Sequence, residues 1–202
     1  MQTHQGPRNF HRICVFCGSN EGINPAYRYA AVALGRLLAE RGMELVYGGG
    51  NIGLMGVLAD ASLQAGGRVI GVIPDSLMAM EVGHLGLTEL RIVNSMHERK
   101  ALMADLSDGF IAMPGGFGTF EEFCEIVTWS QLGIHAKPCG LLNIEGYYDP
   151  LLELFDRAVR EGFLHEGNRR LVLHDRDPEK LLEKMAQFHA PVVGKWIGRD
   201  ES

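Results

Sequence analysis

Short, uniformly apolar runs alternate with longer amphipathic stretches along this chain. The apolar runs fall at 12–17, 43–48, 68–73, 109–113, 138–144 and 170–174, with a weaker one near 90–93. Continuous rather than alternating hydrophobicity predicts strands covered on both faces. Between them, helical periodicity predicts helices over 25–41, 53–65, 95–107, 119–132, 149–162 and 178–188. Gly42 and Gly66-Gly67 stand where the first two helices should stop, and Asp177-Pro178 supplies a cap and first-turn proline for the last. Repeated β-then-α units favour right-handed crossovers, so the expected fold is α/β: a doubly wound, Rossmann-like parallel sheet flanked by helices. Ligands in such sheets bind beyond the carboxyl ends of the strands, where strand order reverses.

With no linker or repeat in view, the pattern predicts one catalytic domain over 10–190, preceded by a disordered leader (1–9) and followed by a tail (191–202). The 202 residues are 46% hydrophobic and 22% charged, ordinary for a globular domain. A net charge of −6 argues against a nucleic-acid partner, because such domains carry a basic surface. No run approaches the roughly 20 apolar residues that span a bilayer, so no membrane partner is expected. Four scattered cysteines suit a reducing compartment, and the cytoplasm is the expected location. Cys14 and Cys17 resemble a metal or redox half-site, but three positions apart on a strand they point to opposite faces. They are expected to be core residues.

Three predicted strands run into glycine loops: Cys17-Gly18-Ser19-Asn20, Gly48-Gly49-Gly50-Asn51-Ile52-Gly53 and Pro114-Gly115-Gly116-Phe117-Gly118-Thr119. Glycine allows close backbone approach, and the helix after each loop offers free N–H groups and its positive dipole end. Three such loops favour a phosphorylated ligand, with Ser19, Gly49 and Gly50 among its contacts. Gly48, Gly50 and Gly53 also fit the dinucleotide spacing G-x-G-x-x-G, with Asp75 as the ribose-binding acid. That alternative, a nicotinamide-dependent oxidoreductase, is weakened because the fingerprint follows the second strand and Asp75 lies beyond Pro74. A non-catalytic nucleotide-binding module is the third reading.

Ser95-x-x-Glu98 and Thr119-x-x-Glu122 both match a helix capping box. Glu98 is expected to be a cap. Glu122 has two readings, a cap or a carboxylate aimed at the ligand of the preceding loop. Glu121, Glu122 and Glu125 crowd the same turns, and like charges there call for a cationic partner. Arg99 and Lys100 are the best candidates, since cations in a first helical turn oppose the dipole and point to a bound anion. The eight histidines show no metal spacing and no Ser lies in G-x-S-x-G, so neither a metal, another cofactor nor a hydrolase triad is expected.

The run Pro114-Gly-Gly-Phe-Gly-Thr-Phe-Glu-Glu122, with Met96-His-Glu-Arg-Lys100 and Gly48-Gly-Gly-Asn-Ile-Gly-Leu-Met-Gly56, resembles the LONELY GUY (LOG) family, whose signature is P-G-G-x-G-T-x-x-E. The likeness extends from about Ile13 to about Met185 and includes 128–135 and Gly146-Tyr-Tyr148. It implies a homodimeric cytokinin riboside 5′-monophosphate phosphoribohydrolase that releases an adenine-type base from a nucleoside monophosphate. It further implies Arg99 and Glu122 as the catalytic pair. Nucleotide contacts are implied at Glu81, Arg99, Lys100, the stretch Gly116, Phe117, Gly118, Thr119, Phe120, Glu121 and Glu122, and at Thr128. Relatives have carried a lysine decarboxylase label, but no lysine here stands in a recognisable pyridoxal-phosphate setting.

Overall fold

The computed structural model describes residues 7–78 and 83–191. Its strands are β1 (Arg12–Phe16), β2 (Glu44–Tyr47), β3 (Val69–Pro74), β4 (Glu89–Val93), β5 (Gly109–Ala112), β6 (Cys139–Leu142) and β7 (Val172–Asp175). The helices are α1 (Pro25–Glu40), α2 (Gly53–Gln64), α3 (Asp75–Met78), α4 (Met96–Leu106), α5 (Phe117–Gln131), α6 (Asp149–Arg160), α7 (Glu166–Arg169) and α8 (Pro178–Ala186). All seven strands form one parallel sheet in the order β4-β3-β2-β1-β5-β6-β7. The doubly wound α/β expectation holds. Ile13 pairs with Leu45 on one side and Gly109 on the other, so the order reverses at β1 and β5.

Alternation along each strand divides the core in two. Ile13, Val15, Leu45, Tyr47 and Ile111 pack under α1, α2 and α8, whereas Cys14, Phe16, Val46, Phe110 and Ala112 pack under α4, α5 and α6. Cys14 and Cys17 belong to opposite clusters, and both thiols are buried and free. Burial and the nearby Glu122 charge push both well above the usual thiol range, which leaves them inert core groups. Gly42 and Gly66 adopt φ of +67° and +80° at the helix ends assigned to them. Asp177 caps α8 by accepting from the N–H groups of Glu179 and Lys180.

Some elements differ from expectation. The single-turn helices α3 and α7, and a 3-10 turn at Ile144–Gly146, were too short to give a periodic signal. Helix α5 begins at Phe117, two residues before the predicted start. Arg8, assigned to the leader, is tied to the end of α8 by its N–H to the Ala186 carbonyl and its Nε to that of Phe188. The rest of the leader up to residue 6, and the tail from residue 192, lie outside the described residues. Among the described residues no helix is long and apolar enough to cross a membrane.

Candidate active site

The loops after β1, β2 and β5 meet above the sheet reversal. A cavity of about 260 Å³ opens there, with Arg99, Glu122 and Thr119 on its wall and Gly18, Gly48 and Gly116 bringing backbone to its surface. It shares Gly18, Ser19 and Gly116 with an adjoining cavity of about 220 Å³ that extends to Tyr27 and Tyr147. Together they form one cleft within the usual range for small-molecule sites, about 300–1,000 Å³.

Arg99 forms its floor. The residue is only 5% exposed, yet its Nε has no hydrogen-bond partner among the described residues. Nη1 reaches only the Met96 sulfur at 3.8 Å, and Nη2 stands 3.9 Å from Glu122 Oε1. A guanidinium has five donors, and burying it with so few acceptors costs several kcal/mol, roughly, unless a ligand completes them. Gly48 makes the placement possible, since a Cβ there would lie 2.1 Å from Arg99 Nη2.

Opposite stands α5. Its N-cap is Gly116, with no side-chain cap, so the N–H groups of the first turn face the cavity without an internal acceptor. Thr119 is therefore inside the helix, buried against Gly115, and cannot be the cap. This overturns the capping-box reading of Glu122, whose side chain is 12% exposed and faces Arg99. Glu98 does serve the start of α4: Ser95 Oγ accepts from the Glu98 N–H, while the Glu98 carboxylate accepts from the N–H of Asn94 rather than of Ser95.

The expected pairing of acids and bases is present, but divided. Arg99 faces Glu122 in the cavity. Lys100 turns behind it, with Nζ 2.5 Å from Glu121 and 3.0 Å from Glu125. Burial lowers the Lys100 pKa, but the hydrogen bonds to the two carboxylates outweigh this and hold its ammonium above the usual lysine range. Ser19, Gly116, Phe117 and Gly118 line the cavity. Phe117 is almost fully exposed at its mouth, whereas Phe120 packs away from it against Tyr147 and Tyr148.

Of the glycine triplet, Gly48 faces the cavity. Gly49 (φ +78°) lies against Ile73 and Leu90, and the Gly50 carbonyl accepts from Tyr47 while Gly50 bridges to Gly83. Thr128 is exposed further along α5, its hydroxyl donating to the Cys124 carbonyl. Glu81 lies outside the described residues. Sequence reasoning missed the apolar wall of Leu77, Met96, Met103 and Met55. Methionines at helical spacing read as core, and nothing in their pattern marks a cavity. Among the described residues no group of three His, Cys, Asp or Glu side chains is placed to hold a metal.

Residues 55–185 match a family model described as "Possible lysine decarboxylase". The chain is 54% identical over 179 residues to the "Probable cytokinin riboside 5'-monophosphate phosphoribohydrolase LOGL1" of Oryza sativa subsp. japonica, covering 89% of this chain and 80% of that one. It is 49% identical over 189 residues to the "Cytokinin riboside 5'-monophosphate phosphoribohydrolase LOG1" of Arabidopsis thaliana, covering 92% and 89%. Among solved structures, a molybdenum cofactor binding protein from Rippkaea orientalis superposes with a TM-score of 0.65 at 23% identity, over 92% of this chain and 98% of that one, a likeness of fold alone. At half identity over nearly its whole described length, the chain belongs to the LOG family of cytokinin riboside 5′-monophosphate phosphoribohydrolases.

Proposed function

We propose that this protein hydrolyses the N-glycosidic bond of an adenine-type nucleoside 5′-monophosphate, prenylated at N6 or plain, to free base and ribose 5-phosphate. The observation that carries this is the buried Arg99 guanidinium, short of acceptors, 3.9 Å from Glu122 beneath an uncapped helix N-terminus. The first turn of α5, from Gly116 to Thr119, takes the 5′-phosphate on its N–H groups and dipole. The ribose then lies between that turn and Glu122. As the bond from the anomeric carbon to the base nitrogen breaks, positive charge grows on the sugar, and the Glu122 carboxylate stabilises it. Glu122 also orients the water that adds to the anomeric carbon and takes its proton, while the departing base nitrogen is protonated from solvent. Arg99 holds the glutamate and the sugar hydroxyls in place, and Leu77 and Met96 offer the base an apolar wall.

The family model's decarboxylase label finds no support at this site. An imine-forming lysine must shed its proton near neutrality, and Lys100 is held as the ammonium between two carboxylates. The glycines of the G-x-G-x-x-G spacing follow β2, and Gly49 and Gly50 turn from the cavity, which disfavours the oxidoreductase reading. We further propose a cytoplasmic homodimer. The free cysteines suit a reducing compartment, and the exposed α5 face bearing Thr128 suits a second copy; light scattering tests the latter.

Incubation with AMP and with its N6-isopentenyl derivative, followed by chromatography, should yield free base, and Glu122→Gln should abolish release while nucleotide binding and melting temperature persist. An unaltered nucleotide after binding to the wild type would leave only a carrier.

A further inference from the structure

Four successive carbonyls lead from β5 into α5, and each has a donor within the protein. Those of Met113 and Gly115 accept from the hydroxyls of Tyr148, at 2.6 Å, and Tyr147, at 2.5 Å. Those of Pro114 and Gly116 accept from the N–H groups of Gly18 and Phe120, both at 3.1 Å. The two hydroxyls come from one sharp turn after β6. Its bend is made by Gly146 (φ +72°) and by Glu145 (φ +53°), the one non-glycine residue with positive φ among the described residues. Such backbone is costly and persists only where its surroundings impose it. Here Asn143 imposes it, accepting from the Tyr148 N–H and donating to Asp149. The Tyr147 ring is then wedged among Tyr27, Phe120 and Tyr148.

In a trans peptide the C=O and N–H point in opposite directions. Holding the Gly115 carbonyl on Tyr147 therefore turns the Gly116 N–H the other way. Glycine on both sides would otherwise let this peptide flip, with Gly116 passing from φ −99° to positive φ without a Cβ to oppose it. A flipped peptide would present its carbonyl, the negative end of its dipole, to an anion at the start of α5. We infer that Tyr147 is a positioning residue: its hydroxyl locks the Gly115–Gly116 peptide so that the Gly116 N–H joins those of Phe117 to Thr119 in holding the phosphate. The inference rests on the proposed seat of the phosphate at this turn, but not on the hydrolysis.

The experiment compares wild type with Tyr147→Phe, which keeps the ring and removes only the hydroxyl. Gly115 is half-buried, so its freed carbonyl can turn to water and the variant should melt near wild type. By calorimetry, Kd for AMP should rise about tenfold, the weight of one hydrogen bond to a charged group, while Kd for adenosine, which lacks the phosphate, changes by less than about twofold. In base release the rise should appear in KM for AMP, with kcat within about threefold of wild type. NMR of protein labelled with nitrogen-15 glycine adds a direct readout. Ribose 5-phosphate should move the Gly116 amide proton downfield in wild type and barely move it in the variant. AMP that binds but is not cleaved sinks the hydrolase reading alone. A wild-type Gly116 amide indifferent to ribose 5-phosphate overturns the inference without recourse to any variant. Unchanged AMP affinity in Tyr147→Phe overturns it too, as does equal weakening of AMP and adenosine, the mark of a packing role. Weaker AMP binding with the Gly116 response retained would make the hydroxyl itself the ligand, and is equally fatal.

Discussion

Replacing Gly48 with alanine separates catalysis from folding. Gly48 has no positive φ, so alanine adopts the same backbone, and the main obstacle to its Cβ is Arg99 Nη2 at 2.1 Å, followed by the Met55 sulfur at 3.3 Å. Non-bonded heavy atoms need about 3.5 Å, so the guanidinium must retreat by about 1.4 Å. It is the far end of a flexible side chain beside an open cavity, which makes the retreat cheap in stability, about 1 kcal/mol or less, partly offset by the lower unfolded-state entropy of alanine. For the reaction the same movement is large, because a displacement of about 1 Å at reacting groups costs about a hundredfold. The expected result is a kcat/KM for base release lower by about a hundredfold, equal to about 2.7 kcal/mol of transition-state stabilisation, with a melting temperature within about 4 °C of wild type. Release of base from AMP at fixed nucleotide concentrations, alongside calorimetry, provides both numbers. Activity within about threefold of wild type in a normally folded variant would show that Arg99 does not need its observed position, and the assigned chemistry would be wrong.

The other predictions concern the phosphate grip and the acid limit of stability. A Cβ at Gly118 meets nothing within 4 Å, so Gly118→Ala should melt like wild type while the methyl crowds the first turn of α5, raising KM for AMP by about tenfold; unchanged KM would place the phosphate elsewhere. Glu44 is held below the usual carboxylate range by its hydrogen bond from Arg12, against opposing burial and with help from Arg68. A depressed folded pKa means stability that is present above the unfolded value, about 4.3, and lost as pH falls through the folded one. Glu44→Gln should therefore lower the urea midpoint at about pH 7, modestly and less at high salt, and leave it unchanged once the pH is below the folded value. An equal deficit at both pH values would assign the effect to packing.

The sheet and its long helices were legible because burial on both faces imposes continuous apolar runs. β4 was the faintest, since as an edge strand it is half-buried over Glu89–Arg91, exposed at Ile92 and buried only at Val93. The start of α5 was misplaced for a specific reason: Thr119-x-x-Glu122 matches a capping box by spacing, but a glycine cap has no side chain to announce it. The partition of charges was half legible. The crowding of Glu121, Glu122 and Glu125 called for a cationic partner and singled out Arg99 and Lys100, but neighbours in sequence diverge by about 100° around a helix, and which one turns to the cavity depends on tertiary packing. Of the 48–50 triplet, Gly49 and Gly50 were expected to face the ligand, whereas Gly48 lines the cavity, because that depends on where Arg99 arrives from a distant helix.

The central position of β1 has a consequence for how the molecule is made. The strand is synthesised first, yet its neighbour on one side, β5, begins only at Gly109. A nascent chain with only β1 to β4 complete would present Ile13 to Phe16 as a bare, apolar edge, the kind of template on which other chains aggregate. Such long-range pairing also makes folding slow. Interruption of translation before β5 emerges should yield an insoluble product, and chaperone demand should fall sharply once that strand is free of the ribosome.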